Sequence, residues 1–214
     1  MRTIQTEVFK FSELSERAKE TARYWFRQYS AVDGFYAEYV FEDVATIADM
    51  MGIDLRQTRK PHADGSHHYA PTIYYSGFSS QGDGACFEST YRYKRGAVTA
   101  VMAYAPLDTE LHRIARELQA VQKKHFYGLR AATNKSGRYN HSGCMNVTVD
   151  YHGPNGTEYE TYKGEDEVTQ ALRDFADWIY ARLESEYEYQ DSDAVIDESI
   201  TANAYEFTEH GEIA

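Results

Sequence analysis

The side chains best suited to covalent chemistry are two cysteines and a histidine. RYNHSGCMNV (138 to 147) places His141 three residues before Cys144, and a thiol beside an imidazole makes a nucleophile and base when a third group orients the base. Cys86 is the other candidate thiol, and Asp83, Glu88 and Asp150 are the available acids. The competing use of a strand thiol is as a small packing residue. Zinc would have to draw on the same cysteines with His141, His62, His67 and His68. CxxC, HExxH and HxE followed by CxxC are all absent, so neither a metal nor another cofactor is expected. His67 and His68 read as solvated loop residues.

YYSGFSSQGDGACFES (74 to 89) has the glycines to present backbone N–H groups to an anion. No helix pattern follows Gly84 and the phosphate-loop arrangement is missing, which favours a plain hairpin turn at Gly82, Asp83 and Gly84. That turn would set Tyr75 opposite Tyr91 and Ile73 opposite Tyr93, with Cys86 and Glu88 on the polar face.

Two stretches of charge are candidates for binding. Residues 112 to 138 hold Arg113, Arg116, Lys123, Lys124, Arg130, Lys135 and Arg138 against the single acid Glu117. Such a stretch could hold phosphates, with His125, Phe126 and Tyr127 to stack on bases, or be a solvated helix face. Beyond Arg182 there is no lysine or arginine but ten acids, which supply ten of the twelve net negative charges. Residues 1 to 182 are nearly neutral at 24 acids against 22 bases. The candidate partner-binding residues are Glu184, Glu186, Tyr187, Glu188, Tyr189, Asp191, Asp193, Asp197 and Glu198. Carboxylates along a folded helix resemble phosphates to a basic groove, and interleaved tyrosines supply buried anchors. A frayed polar helix end is the alternative.

The elements that must carry these groups follow from periodicity. Residues 3 to 11 read as a strand, with Ser12 or Ser15 capping a helix whose inner stripe is Leu14, Ala18, Ala22, Trp25 and Tyr29. Tyr36, Val40, Val44, Ile47 and Met51 give a second helix ending at Gly52, and the two form a helical hairpin. Residues 56 to 70 read as a polar loop, and 97 to 104 fit a strand or a helix. A helix from Asp108 to Phe126 is lined by Leu111, Ile114, Ala115, Leu118 and Val121. A hairpin follows from Leu129, its return strand alternating Met145, Val147, Val149 and Tyr151 with Cys144, Asn146, Thr148 and Asp150, so both cysteines fall on polar faces. HGPNG (152 to 156) is a turn, and a strand over 157 to 163 follows it. Val168, Leu172, Phe175, Ile179 and Leu183 mark a long helix; Ser192 opens a short one through Ile196 and Ile200, and 205 to 209 form an edge strand.

At 214 residues, 42% hydrophobic and 14% aromatic, the chain has apolar surface enough for one sizeable core. The fold expected is α+β, an antiparallel sheet of about four to six strands with several helices packed on one face, in a single domain 1–190 with an acidic C-terminal extension 191–214. No apolar run approaches a membrane span and no signal-peptide core leads the chain, so a soluble cytoplasmic protein with reduced thiols is expected. The net charge of −12 disfavours direct nucleic-acid binding through the whole surface.

FSELSERAKETARYW, IYYSGFSSQGDGACFES, YAPLDTELHRIARELQ, GRYNHSGCM and DFADWIYARLESEYEY together resemble an uncharacterised family of proteins from phages and mobile elements. Some of its members are labelled antitoxins of toxin-antitoxin systems. The resemblance implies a virus-associated accessory protein in the host cytoplasm, and brings no catalytic residues with it. Charge and context together lead to a noncatalytic protein that inhibits a bacterial partner, such as a nucleic-acid-binding defence complex or a toxin, in the anti-CRISPR or another anti-defence manner. The two other readings are a Cys/His enzyme acting on a nucleotide or protein, and a nucleic-acid binder using Arg113, Arg116, Lys123 and Lys124.

Overall fold

Ser15 opens the first helix, its hydroxyl accepting the N–H of Ala18 at 3.3 Å. The computed structural model describes residues 7–29, 35–61, 65–153, 158–160 and 163–214. In chain order the first elements are β1 (Phe9–Lys10), α1 (Glu16–Tyr29), α2 (Phe35–Met51), β2 (Ile53–Leu55), β3 (Gln57–Pro61), β4 (His67–Pro71) and β5 (Ile73–Ser76). Next come β6 (Gly84–Phe87), β7 (Ser89–Arg92), α3 (Ala97–Tyr104), α4 (Thr109–Lys124), β8 (Leu129–Lys135) and β9 (Met145–His152). The last are β10 (Glu158–Glu160), α5 (Glu165–Gln190), α6 (Asp193–Ala202) and β11 (Glu206–Phe207). The fold is α+β with antiparallel sheets. Among the described residues no helix is long and apolar enough to cross a membrane.

The chain divides into two compact units, Met1–Tyr39 with Leu183–Ala214, and Val40–Arg182. The boundary therefore does not fall at 190, and residues 191–214 are not an extension. The first unit has its own core of Phe11, Leu14, Ala18, Ala22, Ile196, Ile200 and Phe207. A helix as short as α6 gains little on its own and is stable by burying Ile196 and Ile200 in this core. The strand expected at 205 to 209 is β11, which pairs with β1 through Phe9 and Phe207. Tyr29, expected on the inner stripe, is 79% exposed, while Arg23, which is not on that stripe, is buried. The helical hairpin expected over the first third is not a unit either: α1 belongs to the first unit, and α2 passes into the second at Val40.

The second unit is built on a five-stranded antiparallel sheet in the order β10-β9-β8-β7-β2. Alternation is strict: Leu129, Ala131, Thr133, Met145, Val147 and Val149 are buried, whereas Arg130, Asn134, Asn146, Thr148 and Asp150 are exposed. The buried stripes of α4 (Leu111, Ile114, Ala115, Leu118, Val121) and α5 (Val168, Leu172, Phe175, Ile179) are those expected from the sequence. Asp108 serves both helices, accepting the N–H of Leu111 at 2.9 Å and Nε1–H of Trp178 at 2.8 Å. The ambiguous segment 97 to 104 is helix α3.

Three strand pairs meet at one junction. The N–H of Arg56 donates to the carbonyl of Glu88 (2.8 Å), that of Glu88 to Thr72 (3.1 Å), and that of Thr72 to Arg56 (2.7 Å). From this closed cycle β2 and β7 enter the main sheet, β5 and β6 form a covering hairpin, and β3 and β4 leave as a ribbon. The segment 56 to 70, expected as a loop, is thus mostly ribbon, with His67 and His68 on its second strand. His62 lies outside the described residues, as does most of the HGPNG turn. The hairpin register also differs from expectation: Tyr75 faces Ala85 and Ile73 faces Phe87. The Asp83 carboxylate accepts the N–H groups of Ser79 (3.1 Å) and Ser80 (2.6 Å), which holds a wider loop than a two-residue turn. The shift is an even number of residues, so side chains keep their faces, but both faces of β6 are buried.

Candidate functional site

The acidic residues beyond Arg182 lie in the first unit, which carries 16 acids against 6 bases; the second carries 18 against 16. Net charges of −10 and −2 follow. Part of the acidic block is neutralised within its own unit. Arg23 grips Asp197 through two hydrogen bonds, Nε to Oδ1 at 2.6 Å and Nη2 to Oδ2 at 2.7 Å, and reaches Glu20 at 2.5 Å. The Asp197 hydrogen bond, opposed by burial, holds the Arg23 guanidinium above its usual pKa. Arg27 pairs with Asp193 at 2.6 Å and Asp191 at 3.4 Å, and that hydrogen bond pulls the Asp193 carboxyl below its usual range. Three of the predicted partner-binding acids are thereby structural. Ser192 opens α6, but its hydroxyl donates back to the carbonyl of Tyr189 at 2.7 Å.

What remains outward is narrower. Among the described residues Glu184, Glu188 and Glu198 have no cationic partner, and Tyr189 is 60% exposed. Glu186 accepts from Gln190 at 2.9 Å, and Tyr187 meets Tyr36 edge to face at 6.0 Å. Glu184 and Glu188 are one helical repeat apart, about 6 Å along the axis of α5. Nothing in the sequence pointed to Arg23 and Arg27 as the clamp, since Arg23 also pairs locally with Glu20 as any surface arginine would.

The second site gathers all three residues proposed for covalent chemistry. Cys144 is not on β9 but ends the 3-10 turn Ser142–Cys144, and both cysteines are buried rather than on polar faces. The Cys144 Sγ lies 3.5 Å from His141 Nε2. His141 is seated by two glycines from different segments. A Cβ on Gly84 would lie 2.6 Å from His141 Cβ, and one on Gly143 would lie 2.9 Å from the imidazole. SQGDGACFE and RYNHSGCM therefore meet here, with Asn140 donating to the carbonyl of Tyr75 at 3.0 Å. Burial pushes the Cys86 thiol up to about 11, with Lys135 opposing and Cys144 and Glu88 adding to the rise.

The acids suggested as orienters are used elsewhere. Asp83 holds its own loop, Glu88 binds Arg56 at 2.8 Å and accepts from the Tyr74 hydroxyl at 3.3 Å, and Asp150 lies on the exposed sheet face. Tyr139 stacks beside His141 at 6.2 Å. Among the described residues no three of His, Cys, Asp and Glu gather closely enough to hold a metal ion.

The basic candidates lie on α4. Arg113 is shared by Glu110 (2.5 Å), Glu117 (2.7 Å) and Asp174 (2.7 Å), whose hydrogen bonds raise its pKa above the usual value and tie α4 to α5. Arg116 donates to Met102 Sδ at 3.5 Å, Lys124 lies 3.8 Å from Glu167, and Lys123 is exposed. This stretch serves first as an internal counterpart of acids on α4 and α5.

Residues 36–193 match the family described as Domain of unknown function (DUF8835). The chain belongs to this family. The DUF8835 match takes in the junction, the ribbon, the Cys/His cluster and Glu184 to Asp193, and stops short of Asp197 and of Arg23. No curated protein and no solved structure matches the chain.

Proposed function

We propose that this is a noncatalytic, phage-associated interaction protein that inhibits a bacterial defence or toxin component, in the anti-CRISPR or another anti-defence manner, within the host cytoplasm. The observation that carries the reading is the division of labour among the acids of the first unit. Asp191, Asp193 and Asp197 lock α6 onto α1, while Glu188 and Glu198 with Tyr189 are exposed on preorganised helices and Glu184 is half-buried without a cationic partner among the described residues. Fixed carboxylates bind a basic groove without the entropy of ordering a free tail, and an exposed tyrosine supplies an anchor. The partner is a host protein with a cationic, nucleic-acid-binding surface. Resemblance to phage and mobile-element proteins supports the setting.

The test is plaque formation on a host carrying a nucleic-acid-targeting defence system, with Glu184→Lys, Glu188→Lys and Glu198→Lys combined. Expression of the unaltered chain restores plaques and the triple variant does not, while its circular dichroism is unchanged. Equal restoration by the variant removes the acidic surface from the mechanism.

The Cys/His enzyme is the second reading, favoured by the 3.5 Å contact of Cys144 with His141. It requires fast alkylation of Cys144 at neutral pH that is lost in His141→Ala. Slow, His141-independent labelling ends that reading.

A further inference from the structure

The ribbon of β3 and β4 has no share in either site. Every residue of β3 is exposed, and Tyr69 on β4 is 71% exposed. His68, Ala70 and Pro71 on β4 are half-buried, and a two-stranded hairpin is marginal by itself. This one is held at its root by the Arg56, Thr72 and Glu88 cycle, by the Arg56–Glu88 ion pair, and by the 2.6 Å hydrogen bond between the hydroxyls of Thr58 and Thr72. Its register places Arg59 opposite Tyr69 and Lys60 opposite His68, with His67 paired to Pro61. Alternation then puts Arg59, Tyr69 and His67 on one face and Lys60 with His68 on the other. Among the described residues neither Arg59 nor Lys60 has a carboxylate partner, and the one acid within 57–71 is Asp64, which lies outside the described residues.

We infer that this ribbon binds duplex DNA, laying its two strands in the major groove with Arg59 and Lys60 on the phosphates and Tyr69 against the groove wall. A two-stranded ribbon fits the width of that groove in B-form DNA and not the deep, narrow one of duplex RNA. Pro61 and Pro71 stand at diagonal ends of the ribbon, where each removes an N–H, so addition of a peptide strand along its edges is disfavoured and the side chains are left to make the contacts. The site is on the second unit, whose own charge is nearly balanced at −2. The inference stands apart from the acidic-surface reading.

Fluorescence anisotropy of the full chain with labelled 30-base-pair DNA, at about 50 mM salt where phosphate contacts are strong, tests it. Arg59→Ala with Lys60→Ala is expected to weaken binding about tenfold or more, and to lower the slope of log affinity against log salt by about 2. Tyr69→Ala weakens it further. Lys123→Ala with Lys124→Ala leaves binding unchanged. Absence of binding, indifference to Arg59 and Lys60, equal affinity for duplex RNA or single strands, or equal competition by polyglutamate each overturns the inference.

Discussion

Arg23 and Asp197, 174 positions apart in the chain, meet as a two-pronged pair at 2.6 and 2.7 Å in the first unit. Arg23 sits beside the apolar core, its guanidinium carbon 5.8 Å from the ring centroid of Phe11, so its charge depends on Asp197 for compensation. Asp197→Ala leaves that charge poorly compensated. With Asp197 about one-third exposed and water able to enter, the expected cost is about 2 kcal/mol rather than the full penalty for splitting a buried pair. Urea denaturation measures it, and Glu198→Ala, on the same helix without a partner, should stay within about 0.5 kcal/mol.

Gln122 is a fully buried polar side chain that serves both backbone groups of Leu129, donating from Nε2 to its carbonyl at 2.7 Å and accepting its N–H at Oε1 at 3.2 Å. These bonds dock the start of β8 on the end of α4. Gln122→Met keeps the volume but strands both groups, which should cost about 2 to 4 kcal/mol. A loss below about 1 kcal/mol in thermal or urea unfolding would show that Leu129 finds other partners.

Burial raises the Cys86 thiol from its ordinary value of 9.0 to about 11. The unfolded chain thus releases this proton before the native one, so stability is full below pH 9 and falls as pH rises towards 11, by on the order of 2 kcal/mol. Tyr91, pushed up by burial to about 12, extends the loss above pH 10. Unfolding free energies between pH 8 and 11 should show this decline, shallower in Cys86→Ala. At neutral pH iodoacetamide should leave Cys86 unmodified until the protein unfolds.

Helices were legible because burial and periodicity agree in them: the stripe of α5, Val168 to Leu183, is fully buried as its spacing requires. The β8–β9 hairpin was legible for the same reason. Strand partners between β2 and β7 were not, since the Arg56, Thr72 and Glu88 cycle is made of backbone groups that every residue has. The ribbon was read as a loop because neither face has an apolar alternation to betray a strand. At the sites, Cys144 and His141 were found by spacing. Arg23 was missed because its partner lies at the far end of the chain; of the glycines that seat His141, Gly84 was taken for a turn former and Gly143 was not singled out.

Those two glycines make separable predictions. A methyl at Gly84 would meet His141 at both Cβ and Cα, 2.6 and 2.7 Å away, so backbone must move; Gly84→Ala should cost about 1 to 3 kcal/mol. A methyl at Gly143 meets only the ring, at Cε1 and Nδ1, and the ring can turn aside. Gly143→Ala should therefore cost under about 1 kcal/mol while breaking the 3.5 Å contact between His141 and Cys144. His141→Ala distinguishes the two mechanisms: it removes the obstacle facing Gly143 but leaves the Cα and Cβ facing Gly84. Melting temperatures of the double variants, with the His141 ring signals followed by NMR in Gly143→Ala, test the pair. Rescue of Gly84→Ala by His141→Ala, or an unmoved ring in Gly143→Ala, would show that His141 is not seated by these glycines.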